Sequence, residues 1–223
     1  MKQLIAIILS SGILICNAQT TLNLSHEINI SPGFVLHGEK ILNNQEAYNE
    51  LGSGYDISFG YTANLGWVGL SFQYYYRNNT ANIDEMQTQL EMPKIESGNY
   101  SSNGYMTGLI VNIPLSEAEK QSFVAVGFTG GVFVAHLPEQ TFTLEDENSF
   151  KYVKAQAPGF CYRMQVGYRY NFNDKMGVSA NLAILSERSA FTRASSVGSD
   201  TNIQYYNWKI DYPELKIGLH YTL

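Results

Sequence analysis

The stretch Glu214-Leu-Lys-Ile-Gly-Leu-His-Tyr-Thr-Leu223 decides the fold. Side chains along a β-strand point alternately to opposite faces. Leu215, Ile217, Leu219, Tyr221 and Leu223 therefore make one apolar row, while Glu214, Lys216, Gly218, His220 and Thr222 make a charged, small or polar one. Such a strand at the end of the sequence needs a partner on each edge. We read it as the closing strand of a β-barrel.

Seven more alternating stretches precede it. The first, Ile28–Leu36, places Ile28, Ile30, Phe34 and Leu36 on one face, with a bulge or local defect expected at Pro32, which lacks an N–H to donate. The second and third, Tyr55–Ala63 and Trp67–Arg77, are separated by the turn signal Asn64-Leu-Gly66. Next come Gly104–Leu115, Ser122–His136, Gly159–Asn171, Met176–Glu187, and the last strand reaching back to about Trp208. The connections run long, short, long, short, long, short, long. That regular alternation predicts one domain with all its long loops at one end. No helical period of any length and no internal repeat is visible.

Composition points the same way. Aromatic residues make up 13% of the 223 residues, with 16 Tyr, 19 Gly and only 6 Pro, as expected for many strands joined by turns. Mean hydropathy is slightly negative, which argues against a bundle of membrane helices. The formal net charge of −6 gives no electrostatic basis for nucleic-acid binding. At the N-terminus, Lys2, the apolar run Leu4–Ile15 and Cys16-Asn-Ala18 form a signal-peptide pattern, so residues 1–18 are read as a leader and 19–223 as the barrel. Lipidation at Cys16 is the alternative, but Ile15 is a poor residue for it. Cleavage before Gln19 leaves only Cys161, hence no internal disulfide.

Alternation alone does not say which face points outward. A soluble calycin-like barrel lines its cavity with the apolar rows; an outer-membrane barrel turns them to lipid. Three features select the second. The polar face is built from small residues plus the charges Asp56, Arg77, Arg163, Arg169, Glu187, Glu214 and Lys216, which suits the crowded lumen of an eight-stranded barrel. Trp67, Tyr74, Tyr76, Tyr105, Phe160, Tyr170, Trp208 and Tyr221 lie towards strand ends, as two interfacial girdles require. Short turns at one end and long loops at the other complete the pattern, with both termini periplasmic. The expected fold is all-β: an eight-stranded antiparallel up-and-down transmembrane β-barrel with long extracellular loops and short periplasmic turns, in the cell outer membrane.

In this architecture the chain resembles the small eight-stranded outer-membrane barrels, the OmpA/OmpX-like membrane-domain family. The resemblance covers Gln19–Leu223 and rests on strand pattern, with one short signal: alternate apolar residues ending in an aromatic at the C-terminus. Leu215, Ile217, Leu219 and Tyr221 match it, whereas Leu223 stands where the family has Phe. It implies a strand read by the barrel-assembly machinery. No peptidoglycan-binding domain is expected after Leu223.

The lumen charges are expected to pair across strands as a structural plug, because an isolated buried charge is costly; a gated ion path is the functional alternative. Catalysis on lipid A or phospholipid would need a Ser and a carboxylate beside a histidine. His37, His136 and His220 each lack a Ser two residues away on the same face. Glu145-Asp-Glu147 reads as a solvated loop tip rather than a cation or partner site, and the Asn78-Asn-Thr80 glycosylation pattern is discounted in a bacterial export product. In the run Tyr74-Tyr-Tyr76 two residues suit a girdle and one the lumen. The long loops, carrying Ile83, Met86, Phe142, Phe150, Tyr205 and Tyr206, are where an extracellular partner would bind. The function expected is an integral outer-membrane protein of structural or surface-interaction type, in contact with outer-membrane lipids. It has a filled lumen, no cofactor, no metal and no catalytic activity. The runner-up readings are an outer-membrane lipid enzyme and a secreted soluble ligand-binding barrel.

Overall fold

The computed structural model describes residues 24–36, 41–43, 46–48, 51–115, 121–146, 148–197 and 200–223. The signal-peptide reading, His37 and Glu147 lie outside the described residues.

Eight long antiparallel strands form a closed ring: β1 (Leu24–Val35), β4 (Leu51–Leu65), β5 (Val68–Ala81), β7 (Tyr100–Pro114), β8 (Ser122–Leu137), β11 (Ala155–Asn171), β12 (Met176–Val197) and β13 (Asp200–Thr222). Each pairs with its sequence neighbour in the ring, and β13 returns to β1 through the register Ile28↔Tyr221, Ile30↔Leu219 and Phe34↔Leu215. The ladder row that starts at Ile30 runs through Phe59, Tyr74, Tyr105, Val132, Phe160 and Arg188 to Lys209. Lys209 stands ten residues from Leu219, the residue that faces Ile30 on closure. A stagger of ten over eight strands tilts the strands by roughly 40°.

The facing is unambiguous. Ile217 is 63% exposed and Leu219 56%, while Glu214 and Lys216 on the alternate face of the same strand are 2% and 3% exposed. The same split holds round the ring, with Phe59, Phe72, Leu109, Phe128, Met164 and Leu182 outside. Apolar rows on the outer wall and charges within are the reverse of a soluble ligand-binding barrel, and that reading falls.

Turns follow local chemistry. Between β4 and β5 only Gly66 and Trp67 intervene, and Gly66 adopts φ +63, which glycine reaches without strain. Pro32 leaves a gap in the β1–β13 ladder, but the register is the same on both sides. The expected irregularity is thus a missing hydrogen bond and not a bulge. The register shift lies instead on β4, between Leu51 and Gly54.

The long connections depart most from expectation. Residues 78–103 contain a helix, α1 (Ile83–Leu90), and a strand, β6 (Lys94–Ser97). Eight residues are too few to show a period, yet Asp84 and Glu85 suit the first turn and Met86 is buried against Ile95 and Phe142. Residues 137–158 supply β9 (Gln140–Thr143) and β10 (Ser149–Tyr152). The expected loop 189–207 is a continuation of the barrel wall, since β12 and β13 stay paired as far as Val197↔Asp200. The strands persist because alternation persists: Phe191 stacks on Tyr206 at 5.5 Å, both facing in. Above the barrel, β12 and β13 form the centre of a sheet ordered β3-β2-β13-β12-β10-β9-β6, with β2 (Ile41–Asn43) and β3 (Glu46–Tyr48) on one side.

Replacing Ile217 with Arg puts a charge on the lipid face near mid-height and should lower unfolding free energy in bilayers by about 2–4 kcal/mol. Ile217→Val should change it little, because lipid has no fixed shape to leave unfilled. Urea titration followed by heat-modifiable electrophoretic migration reads both.

Candidate functional site

The lumen is stacked in tiers. Outermost within the barrel are Tyr100, Leu137 and Trp208, part of an apolar plug that continues down past Glu187 through Ile210, Phe133, Tyr212, Leu185 and Tyr75. Enclosed within this plug is Glu187, with no exposed surface. Its carboxylate accepts hydrogen bonds from Tyr75 Oη (2.7 Å), Ser102 Oγ (2.9 Å) and Trp208 Nε1 (3.2 Å), and pairs with Arg77 Nη2 at 2.7 Å. Arg77 also donates to Ser102 Oγ at 2.7 Å, and its guanidinium carbon lies 3.3 Å from the centre of the Tyr212 ring. Four donors on one carboxylate and an aromatic face on its partner replace the water that both charges have lost.

One tier lower, Arg163 Nε lies 3.0 Å from Glu214 Oε2, and Nη2 lies 3.4 Å from Asp56 Oδ2. Its Nη1 donates to Gln73 Oε1 at 3.2 Å. Lys216 pairs with Asp56 and donates to Ser58 Oγ at 2.6 Å. Nearest the periplasm, Arg169 Nη2 meets Glu27 Oε2 at 2.5 Å, and Arg169 Nε donates to Asn171 Oδ1 at 3.3 Å. His220 Nε2 lies 2.8 Å from the same Asn171 oxygen. Between the two lower tiers is a polar cavity of about 60 Å³, bordered by Asn29, Asn112, Gln165, Asn181 and His220. That is room for several water molecules.

The strands set this order. Cys161, Arg163, Gln165, Gly167 and Arg169 descend one face of β11, and Tyr212, Glu214, Lys216, Gly218 and His220 descend the matching face of β13. All seven charges named from the sequence line the lumen. Six gather in the two upper tiers, but Arg169 takes Glu27, which the sequence reading did not single out. Glu27 sits beside the first apolar positions of β1, and its inward parity with Asn29 is the signal that marks it.

Among the girdle residues, Trp67, Tyr74, Tyr76, Tyr105, Tyr170 and Tyr221 face outward, as does Phe160. Tyr74 and Tyr105 pack at 5.2 Å on the outer wall. Trp208 is a correction: it is 2% exposed and points inward to Glu187. Nearness to an expected strand end suggests a girdle position, but β13 continues eight residues further, and parity with Ile210 and Tyr212 puts Trp208 inside. Tyr75 is the lumenal member of its run.

Higher up, Arg193 Nη1 donates to Gln140 Oε1 (2.6 Å) and Nε to the Val153 carbonyl (3.0 Å), tying the β9–β10 hairpin to β12. His136, on the outer wall of β8, is opposite Ser101 in register and lies 3.4 Å from Asn103 Nδ2. Cross-strand pairing makes this neighbour, which sequence spacing does not reveal. No carboxylate bonds His136 among the described residues, so a Ser-His-acid triad is not assembled there. Glu145 and Asp146 are exposed, and Asp146 accepts from Asn148 Nδ2 at 2.7 Å.

Glu187→Ala should cost about 3–5 kcal/mol, because it strands the Arg77 charge in a dry site. Combining it with Arg77→Met should recover part of that loss. A double-mutant cycle on chemical unfolding should yield a coupling of about 1–3 kcal/mol; additive losses would contradict the pairing.

No family model matches the chain, and no curated protein matches it. Solved structures do. The outer membrane protein OprG from Pseudomonas aeruginosa is 12% identical, with a TM-score of 0.51 over 91% of this chain and 97% of that one. A major outer membrane protein from Thermus thermophilus is 10% identical, with a TM-score of 0.51 over 90% of this chain and 99% of that one. At such identities the likeness is one of fold. Taken with a closed ring, an exposed apolar belt and a charge-paired lumen, it leads to one conclusion: the chain has the fold of the small eight-stranded outer-membrane β-barrels and is an integral protein of the cell outer membrane.

Proposed function

We propose that this barrel is a non-conducting, non-catalytic anchor that carries an extracellular β-sheet for binding at the cell surface. The observation that supports it most directly is the contrast along the axis. Apolar plug and ion-pair tiers fill the lumen through the membrane, whereas β12 and β13 run on beyond it and gather β2, β3, β6, β9 and β10 around themselves. A second apolar cluster of Met86, Ile95 and Phe142 gives that sheet a core of its own. Rigid extracellular structure of this extent is more than closing a barrel needs.

On the hairpin's outward face Ile203 is 66% exposed and Tyr205 75%. Exposed large apolar side chains on a rigid strand suit a protein or glycan partner. The C-terminal strand, with its outward row Leu215 to Tyr221, supplies the signal for the barrel-assembly machinery.

Reconstituted in planar bilayers, the protein should give no stable unitary conductance; well-defined channel openings would refute the sealed lumen. Bacteria carrying Ile203→Ser with Tyr205→Ser should assemble as much barrel as wild type but adhere less to cells or surfaces. Unchanged adhesion at equal surface level would count against the platform.

A further inference from the structure

The outer wall carries very little charge. Histidines aside, the outward-facing ionised side chains among the described residues of the eight strands are Arg188, Lys209 and Asp211. All three sit on one strand pair. Arg188 and Lys209 are direct partners in the β12–β13 register, and Asp211 is opposite Ser186.

Their height is fixed by the ladder. Tyr221 belongs to the periplasmic girdle, and Asp211 lies ten residues up the same strand on the same face. At about 2.5 Å of axial rise per tilted residue this spans roughly 25 Å, the height of a barrel's apolar band. Lys209 and Arg188 thus stand just above that band, where the headgroups of the outer leaflet lie. The lipid-facing apolar rows break off below them at Ile184 on β12 and Pro213 on β13, and large apolar side chains return on the outward face of β13 only higher up, at Tyr205 and Ile203.

The cluster is partly organised. Arg188 Nη1 donates to the carbonyl oxygens of Glu187 (2.8 Å) and Ile210 (2.9 Å), and Nη2 donates to Asp211 Oδ1 at 2.6 Å. Its guanidinium carbon is 5.8 Å from the centre of the Tyr162 ring. Ser186 Oγ donates to the same Asp211 oxygen at 2.5 Å. Asp211 is therefore ionised at neutral pH and the patch carries one net positive charge. Lys209 is exposed. Two cations directly opposite on neighbouring strands repel each other. An anion seated between them relieves that repulsion, and at this height the anions at hand are lipid phosphates.

We propose that Arg188 and Lys209 form a rim site for the phosphorylated headgroup of an outer-leaflet lipid. The proposal rests on the barrel being seated in a bilayer and is independent of the surface-binding role.

The test uses the full mature protein in phosphatidylcholine nanodiscs containing a minority of lipid A, against discs with lipid A stripped of its phosphates. Lipid retained per protein after detergent exchange is measured. Wild type should retain the phosphorylated form preferentially. Each cation at a charged membrane surface is worth about fivefold in binding, so Lys209→Gln should lower retention about fivefold, Lys209→Arg should restore it, and Arg188→Gln with Lys209→Gln should lower it about twenty-five-fold. Heat-modifiable migration confirms that each variant is folded. Equal retention by wild type and Lys209→Gln, or no preference for the phosphorylated form, overturns the site. Displacement by millimolar inorganic phosphate as effective as by lipid A overturns the lipid as occupant. A failure here leaves the adhesion experiment on Ile203 and Tyr205 unaffected.

Discussion

Everything in this molecule depends on one pairing, β1 with β13. A bilayer offers no partner to a backbone N–H or C=O, so a sheet that enters it must have no free edge. The register from Glu27↔Thr222 to Val35↔Glu214 removes both edges together. It also sets the stagger of the ring, hence the strand tilt and the width of the lumen. Pro32 falls within this seam, yet the register holds across it, because the flanking residues on both sides fix the same alignment.

Closure creates a second demand. A ring of eight tilted strands encloses a space that side chains must fill, and alternation delivers every second residue of every strand into it. The chain meets that demand in two ways. Towards the outside, aromatic and aliphatic side chains pack as in a soluble core. Through the middle, charges are packed in pairs, each carboxylate facing at least one cation, and Glu187 three neutral donors as well. Such pairs are weak evidence for stability in themselves, since the cost of removing two charges from water rivals their attraction. Their consequence is specificity: Glu187 reaches Tyr75 on β5, Ser102 on β7 and Trp208 on β13 at once. A register slip on any of those strands would leave buried donors and acceptors without partners.

The outer wall follows a different rule. Lipid tails impose no fixed shape, so outward positions need only be apolar, and aromatic at the two interfaces. Where polar residues reappear on that wall, at Ser186, Arg188, Lys209 and Asp211, the bilayer has ended. Above that level β12 and β13 return to the chemistry of a water-soluble sheet, with Phe191, Arg193 and Tyr206 inward and Asn207 and Tyr205 outward.

The sequence alone determined the strand count, the up-and-down order, the outward apolar rows and the lumenal position of Asp56, Arg77, Arg163, Arg169, Glu187, Glu214 and Lys216. It did so because period-two alternation is a local property, readable from one strand at a time, and because burying charge without partners costs too much to leave the inside face in doubt. Where the strands stop was not legible. Polarity suggests loops at 78–103, 137–158 and 189–207, but a strand in water above the membrane has one polar face and continues through such residues. That misreading put Trp208 in a girdle. Partner choice was equally out of reach. Arg169 with Glu27, Trp208 with Glu187, Ser101 opposite His136 and Arg188 opposite Lys209 all depend on the stagger between strands far apart in sequence. Only the closed ring, by fixing that stagger, decides which side chains share a level.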